Sequence, residues 1–331
     1  MPTLDRITVY PVKSLDGMEV VESNVLESGA LEHDRRWRLV DMDGRVINAK
    51  RSAVLHAIRA EFALDERLVT LWIDPAAIAA RALPAADLDR LRGLAGFSGG
   101  EYPGGEHLRG RHAAGRAVRD SFHLVPGQGG PCEWLSEAFG QGVLLQERVA
   151  GGFPDDRDAA GPTLVATSSL VEVARWFGFD LAESRRRFRA NLEVGGCDAF
   201  WEDSLASPAR PGLQPSLLEL SADGLSGLPV DPYADLPPPE PREFSIGDAR
   251  FIATNVCRRC VVPTRDSRTG AVSEHFRDAF EARRGRGLRG DVDALRWGSL
   301  YRLAINTRLL NSPTLISSLI SRGSPIVAGP A

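Results

Sequence analysis

The stretch Cys257-Arg258-Arg259-Cys260-Val261-Val262-Pro263-Thr264-Arg265-Asp266-Ser267-Arg268-Thr269-Gly270 opens on a Cys-x-x-Cys pair. Three chemistries compete for such a pair. Structural zinc takes four ligands, usually two such pairs or a Cys/His set at fixed spacing. Cys132 and Cys197 stand alone, and His275 is the one histidine nearby, so that set is not assembled. A thioredoxin-like dithiol sits at a strand-to-helix junction. A strand-like run, Ala249 to Val256, does lead in, but Val261-Val262-Pro263 is poor helix sequence. The third chemistry is a single reactive thiolate. Arg258 and Arg259 put positive charge beside sulfur, which favours the ionised form. A thiolate suits a thiophilic metal, and guanidinium groups suit an anionic, phosphate-bearing cofactor. Taken alone, the four residues also read as two buried strand cysteines beside solvent-facing arginines.

Outward from this stretch, the chain has 331 residues, enough for two domains with a substantial core. A net charge of -4 gives no reason to expect nucleic acid or an anionic membrane as partner. Lys13 and Lys50 are the only lysines among 40 basic residues. Coding bias towards arginine accounts for most of that, yet a surviving lysine marks a place where a compact ammonium fits and a planar guanidinium does not. Lys13 is singled out on this ground. Four cysteines are too few for a disulfide-stapled fold, which points to a reducing compartment. Asp5, Arg6, Pro11 and Lys13 interrupt any signal-peptide core, and no apolar run is long enough to span a bilayer, so a cytoplasmic location is expected.

The first third reads as strands. Leu4 to Tyr10 and Met18 to Leu26 are apolar runs ended by turn residues, and Trp37 and Leu39 alternate with Arg36 and Arg38. Asp43-Gly44 turns the chain into Val46-Ile47, and a second hairpin is expected around Asp65-Glu66. Short antiparallel strands favour a small barrel or sandwich. Helices are expected from Cys132 to Phe139, ended by Gly140, and from Ser169 to Phe177, ended by Gly178, with Ser169 and Glu172 as a capping box. Residues 206–243 carry a proline-rich insertion and Gly93 to Gly130 a glycine-rich stretch. The division expected is 1–125 and 126–331.

The wider stretch resembles the signature of the molybdenum cofactor sulfurase C-terminal (MOSC) family: Cys-x-Arg-Cys, two apolar residues, x-Thr-x-Asp, then Thr-Gly. Arg187-Phe188-Arg189-Ala190-Asn191 is similar to the family's Arg-Phe-Arg-x-Asn element. Phe200-Trp201-Glu202-Asp203 is similar to its Phe-x-Glu-Asp segment, and Ile246-Gly247-Asp248 to a further short element. Tyr10-Pro11-Val12-Lys13-Ser14 and Asp34-Arg35-Arg36-Trp37 resemble the two hallmarks of the β-barrel domain that precedes MOSC. Each motif is weak, and their shared order is strong. Three departures stand out: Ser267 where proline is usual, Pro263-Thr264-Arg265 for Thr-Thr-Val, and Gly323-Ser324 for Gly-Asp.

The resemblance implies a β-rich α+β fold, an N-terminal β-barrel-like domain followed by a MOSC β-barrel with a few helices. It implies, from relatives such as the mitochondrial amidoxime-reducing component and its bacterial counterparts, that Cys260 ligates molybdenum and that Arg258 and Arg259 lie against the pterin. Lys13, Ser14 and Arg35 match positions at the cofactor's phosphate end, and Arg189 and Asn191 match further contacts. Thr167 and Ser168 would offer hydroxyls and helix N-terminal amides to an anion. The implied protein is a molybdenum-cofactor (Mo-molybdopterin) oxidoreductase that reduces N-hydroxylated small molecules. A separate reductase, a flavin or iron–sulfur protein, would supply the electrons, since no cysteine set for a plant-type cluster is present. Two alternatives stay open: a sulfur carrier using a Cys260 persulfide, and a non-catalytic cofactor binder. Pyridoxal phosphate, which serves the sulfurase relatives, is not expected in this chain.

Overall fold

A computed structural model describes residues 1–97, 118–208, 240–294, 297–310 and 318–329, together with the backbone of 108–110. Most of the proline-rich insertion and of the glycine-rich stretch lies outside the described residues.

The strands form an eight-stranded sheet and three smaller ones. In the large sheet the order is Ile326–Ala328, Glu243–Ile246, Ala249–Arg258, Arg302–Leu309, Leu164–Ala166, Leu192–Gly195, Thr3–Val9 and Met18–Val20. The expected N-terminal strand is present, and it lies antiparallel to Leu192–Gly195 with Ile7 opposite Leu192. Leu164–Ala166 and Leu192–Gly195 run parallel because two helices, Thr167–Phe177 and Leu181–Phe188, carry the chain back between them. All three residues of Leu164–Ala166 are buried, as a strand covered on both faces requires.

Trp37–Asp41 pairs with Val46–Ile47 across the Asp43-Gly44 turn, and on its other side with Val143–Glu147. Ile58–Ala63 and Leu68–Ile73 form the second expected hairpin. Strand pairing therefore crosses residue 125 in both directions: the first strand joins later ones, and Val143–Glu147 joins earlier ones. The molecule is strand-rich with helices. No sheet closes on itself among the described residues, so the barrel closure that the resemblance implies is not seen.

Both expected helices form, and Gly178 ends the second at φ 69°, a left-handed position that glycine takes without steric cost. Its start differs from the expected capping box. The helix begins at Thr167, and the Ser169 hydroxyl donates to the buried Glu202 carboxylate at 3.0 Å while accepting from the Phe200 amide. Glu172 instead takes Arg175 and the Trp176 indole. A buried acceptor outcompeted the local cap.

Three apolar clusters make the core. One joins Val12, Trp37, Leu55, Leu71 and Leu135. A second packs Leu4, Ile7 and Val9 against Leu192, Phe251 and Ile305. The third is aromatic, with Phe188, Phe276, Phe280 and Tyr301.

Candidate functional site

A cavity of about 750 Å³ opens between the first and third of these clusters. One wall comes from the N-terminal hallmarks, with Lys13, Ser14 and Arg35, and the other from the Arg-Phe-Arg element and residues 257–260. Of the residues singled out in sequence, Lys13, Ser14, Arg35, Arg189, Arg258, Arg259 and Cys260 all line it.

Lys13 is held by its amide to the Trp37 carbonyl at 2.8 Å, and its ammonium donates to the Phe153 carbonyl at 3.2 Å. The Asp155 carboxylate pairs with that ammonium at 2.8 Å and with Arg35 Nε at 3.6 Å. Asp34, 8% exposed, braces this wall: it accepts from the Tyr10 amide and the Asn191 amide group, and it pairs with Arg35. Ser14, Arg35 and Arg189 have φ of 74°, 48° and 52°. Left-handed backbone at a non-glycine residue costs on the order of 1–3 kcal/mol and persists only where surroundings fix it. Three such residues face one cavity.

Arg189 ends the helix Leu181–Phe188 in that conformation, and its guanidinium lies 4.1 Å from the centre of the Tyr10 ring. No hydrogen bond or ion pair to it is found among the described residues. Burial pulls its pKa down; Tyr10 opposes this and Arg35 adds to it. An unpaired, partly desolvated guanidinium is what an anion would stabilise. Arg258 and Lys50 also line the cavity with no ion pair among the described residues.

The cysteines divide cleanly. Cys257 is buried in the strand Ala249–Arg258, and its thiol donates to Asn306 Oδ1 at 3.0 Å. Burial pushes its pKa up. Cys260 lies beyond the strand and before the short 3-10 turn Val262–Thr264, half-buried, with no hydrogen bond to its sulfur among the described residues. Arg259 turns inward and donates to the Phe188 carbonyl at 3.0 Å and to the Leu303 carbonyl, so it fixes the loop as well as lining the cavity.

The rest of the signature shapes that loop. Asp266 Oδ1 accepts from the amides of Arg268 and Thr269 and from the Thr269 hydroxyl. Gly270 follows at φ 73°, its α-carbon turned to the Ala53 carbonyl and Leu83, where a side chain would crowd. Arg187 donates to Glu183 at 2.6 Å and to the Pro263 carbonyl at 3.1 Å. The Ser267 amide donates to Glu183 at 2.9 Å and its hydroxyl to the other carboxylate oxygen. Proline at this position would lack that amide, which gives the departure at Ser267 a structural reason.

Three residues singled out in sequence are not brought to the cavity. The Ser168 hydroxyl donates to the Cys197 carbonyl at 2.9 Å, and the Thr167 hydroxyl is buried without a partner among the described residues. Asn191 is fully buried behind the wall, bonded to Thr8, Asp34 and Thr163. It steadies Arg35 and Asp34 rather than facing the cavity.

Sequence reading missed His56, Arg59, Asp155 and Lys50, which all line the cavity. Only Lys50 carried a signal, the same scarcity that marked Lys13. His56 is 6% exposed, and its Nε2 has no partner among the described residues. Its pKa is pushed down to about 4, by burial first and then by Arg265, Arg59 and Arg189. The folded state thus keeps His56 neutral while the unfolded chain protonates it near the ordinary value of 6.5. Between these values the unfolded state binds more protons, so stability falls as pH drops from about 6.5 to 4, by about 3 kcal/mol in total. His56→Gln is expected to flatten this slope in urea midpoints measured from pH 7 to 5. An unchanged slope would exclude a neutral buried imidazole.

Comparison with known proteins agrees with the N-terminal part of this description. Residues 1–89 match the family model described as the MOSC N-terminal beta barrel domain. The chain is similar to the molybdenum cofactor sulfurase of Drosophila yakuba, 24% identical over 221 residues, covering 64% of this chain and 26% of that protein. The corresponding protein of Drosophila grimshawi is 32% identical over 65 residues, 20% of this chain and 8% of that one. The chain therefore spans about a quarter or less of the length of these curated relatives. The solved YUAD protein from Bacillus subtilis superposes with a TM-score of 0.34 at 9% identity, covering 99% of this chain and 96% of that one, a likeness that carries no argument. No helix among the described residues is long and apolar enough to cross a membrane.

Proposed function

We propose that this chain binds a molybdenum cofactor through Cys260 and serves as an oxidoreductase that reduces N-hydroxylated small molecules. The observation that carries the reading is one cavity that holds both an unbonded cysteine sulfur and an unpaired guanidinium, Cys260 and Arg189. A soft metal and an anion are the partners those two groups lack.

The donor set fits such a group. Among the described residues no cluster of three or more His, Cys, Asp or Glu could hold a metal ion, so the metal would take one thiolate here and its remaining donors from the cofactor. Lys13, Ser14, Arg35 and Arg189 would hold the phosphate end, with Arg258 towards the pterin. When bound, the cofactor supplies two-electron chemistry, and the protein supplies ligation, orientation and a charged cradle. The hydrogen bonds of Arg259, Arg187 and Glu183 fix the Cys260 loop to the helix Leu181–Phe188, so that their shared wall faces Lys13 and Arg35 as one unit. His56, neutral at physiological pH, adds a polar group to the cavity without adding charge. Electrons would come from a separate flavin or iron–sulfur reductase.

The similarity to molybdenum cofactor sulfurases favours one second reading, in which Cys260 carries a persulfide to a metal centre. Purification from a host that makes the cofactor separates the two. Near-stoichiometric molybdenum, with benzamidoxime reduced by a chemical reductant, is the expected result. Sulfane sulfur on Cys260 without molybdenum would replace this reading by the second. Bound metal without turnover would reduce the protein to a carrier.

A further inference from the structure

Asp155 holds an unexpected place in this cavity. It lies on the segment between the strands Val143–Glu147 and Leu164–Ala166, and its two carboxylate oxygens meet the two cations best placed for an anionic ligand. Burial pushes its pKa up, but Arg35 and Lys13, with Lys50 adding to them, together outweigh burial and hold it down at about 2. The chain's only two lysines thus flank this one carboxylate, Lys13 in contact and Lys50 through its field.

The segment does not depend on Asp155 for its position. The Phe153 amide donates to the Arg35 carbonyl at 2.9 Å, and the Arg38 guanidinium lies 4.2 Å from the centre of the Phe153 ring. Gly152 packs so closely on the backbone of Asp34 and Arg35 that a Cβ there would come within 2.5 Å of the Asp34 carbonyl oxygen. The Asp155 side chain, by contrast, is 58% exposed and can rotate away without disturbing the core. An ammonium 2.8 Å from a carboxylate has a donor committed to it, and a phosphate brought to the same place would be repelled by that carboxylate.

We propose that Asp155 is an internal competitor at this anion site: its carboxylate takes the seat on Lys13 and Arg35 that a phosphate-class anion needs, and yields it on binding, with Lys50 joining the cations that hold the anion. The inference rests on reading this end of the cavity as an anion site and does not require molybdenum.

The test uses the full chain purified from a host unable to make the cofactor, with inorganic pyrophosphate titrated by calorimetry at fixed low ionic strength. Asp155→Asn is expected to bind pyrophosphate about tenfold more tightly than the unaltered chain. Asp155→Ser is expected to do the same, and serves if the asparagine variant folds poorly. Lys50→Gln is expected to weaken binding about threefold. Unchanged or weaker binding in both Asp155 variants overturns the proposal. So does an equal gain in Asp156→Asn, which removes the same charge from a neighbouring residue of the cavity wall. If no variant binds pyrophosphate, the anion reading falls and this inference with it. Tighter binding in the Asp155 variants, together with no molybdenum in the chain when it is made in a host that produces the cofactor, upholds the inference and overturns only the cofactor assignment.

Discussion

Cys260→Ser is expected to leave the protein folded while removing its molybdenum, and benzamidoxime turnover should drop to background. The two halves of that outcome have separate causes. The Cys260 sulfur has no hydrogen bond among the described residues and is only half-buried, so its loss costs the fold within about 0.5 kcal/mol. Serine oxygen is a hard, weakly acidic donor, and a thiophilic metal would lose the one protein ligand proposed for it. Cys257 supplies the contrast within the same motif. Its thiol is buried and bonded to Asn306, so Cys257→Ala should cost about 1 kcal/mol of stability and leave metal content intact. Metal analysis beside a thermal melt of each variant reads both quantities. Molybdenum retained in Cys260→Ser would end the ligand assignment, and molybdenum lost equally in Cys257→Ala would mean the motif acts as a pair.

The largest effect on stability is expected at Arg284→Met, a loss of about 3–5 kcal/mol. Arg284 is completely buried, paired with Asp203 and stacked 3.9 Å from the centre of the Phe200 ring. Burial drags its pKa down to about 10, and the neighbouring Glu202 works the other way. Glu202, itself fully buried, has its pKa raised by the same desolvation. Removing the guanidinium would strand two buried carboxyl groups, one of which already has a single oxygen served by Ser169 and Ala166. Methionine restores the volume but not the charge. Asp203→Asn combined with Arg284→Met should recover part of the loss, because the two residues share one interaction. Urea unfolding measures this directly, and a single-variant loss under about 1 kcal/mol would show that the pair is neutralised in another way.

Legibility in the sequence followed the range of the interactions involved. The turn at Asp43-Gly44 and the helix stops at Gly140 and Gly178 depend on neighbours in the chain, and all were readable. The capping of the helix that starts at Thr167 was not, because Ser169 answers to Glu202, which lies 33 residues away. The same contrast runs through the site. Short motifs led to Lys13, Arg35, Arg189 and Cys260, and the fold brings these together. Thr167 and Ser168 looked suitable by residue type, but the direction of their helix start is set by strand order, which no local pattern encodes. His56 and Asp155 are solitary side chains carried to the cavity by packing, so nothing around them in sequence announces a role.

Pairing of residue 3 with residue 195 also dictates the order of events during synthesis. At ordinary elongation rates the first strand waits roughly 10–40 seconds at the ribosome before its long-range partner exists. Meanwhile Met18–Val20 covers one side of it, and the other side is a free edge carrying Leu4 and Ile7. Residues 1–89, which match the family model, thus contain a strand whose long-range partner lies beyond them. Cut at residue 89, the chain would leave that edge without its partner strand.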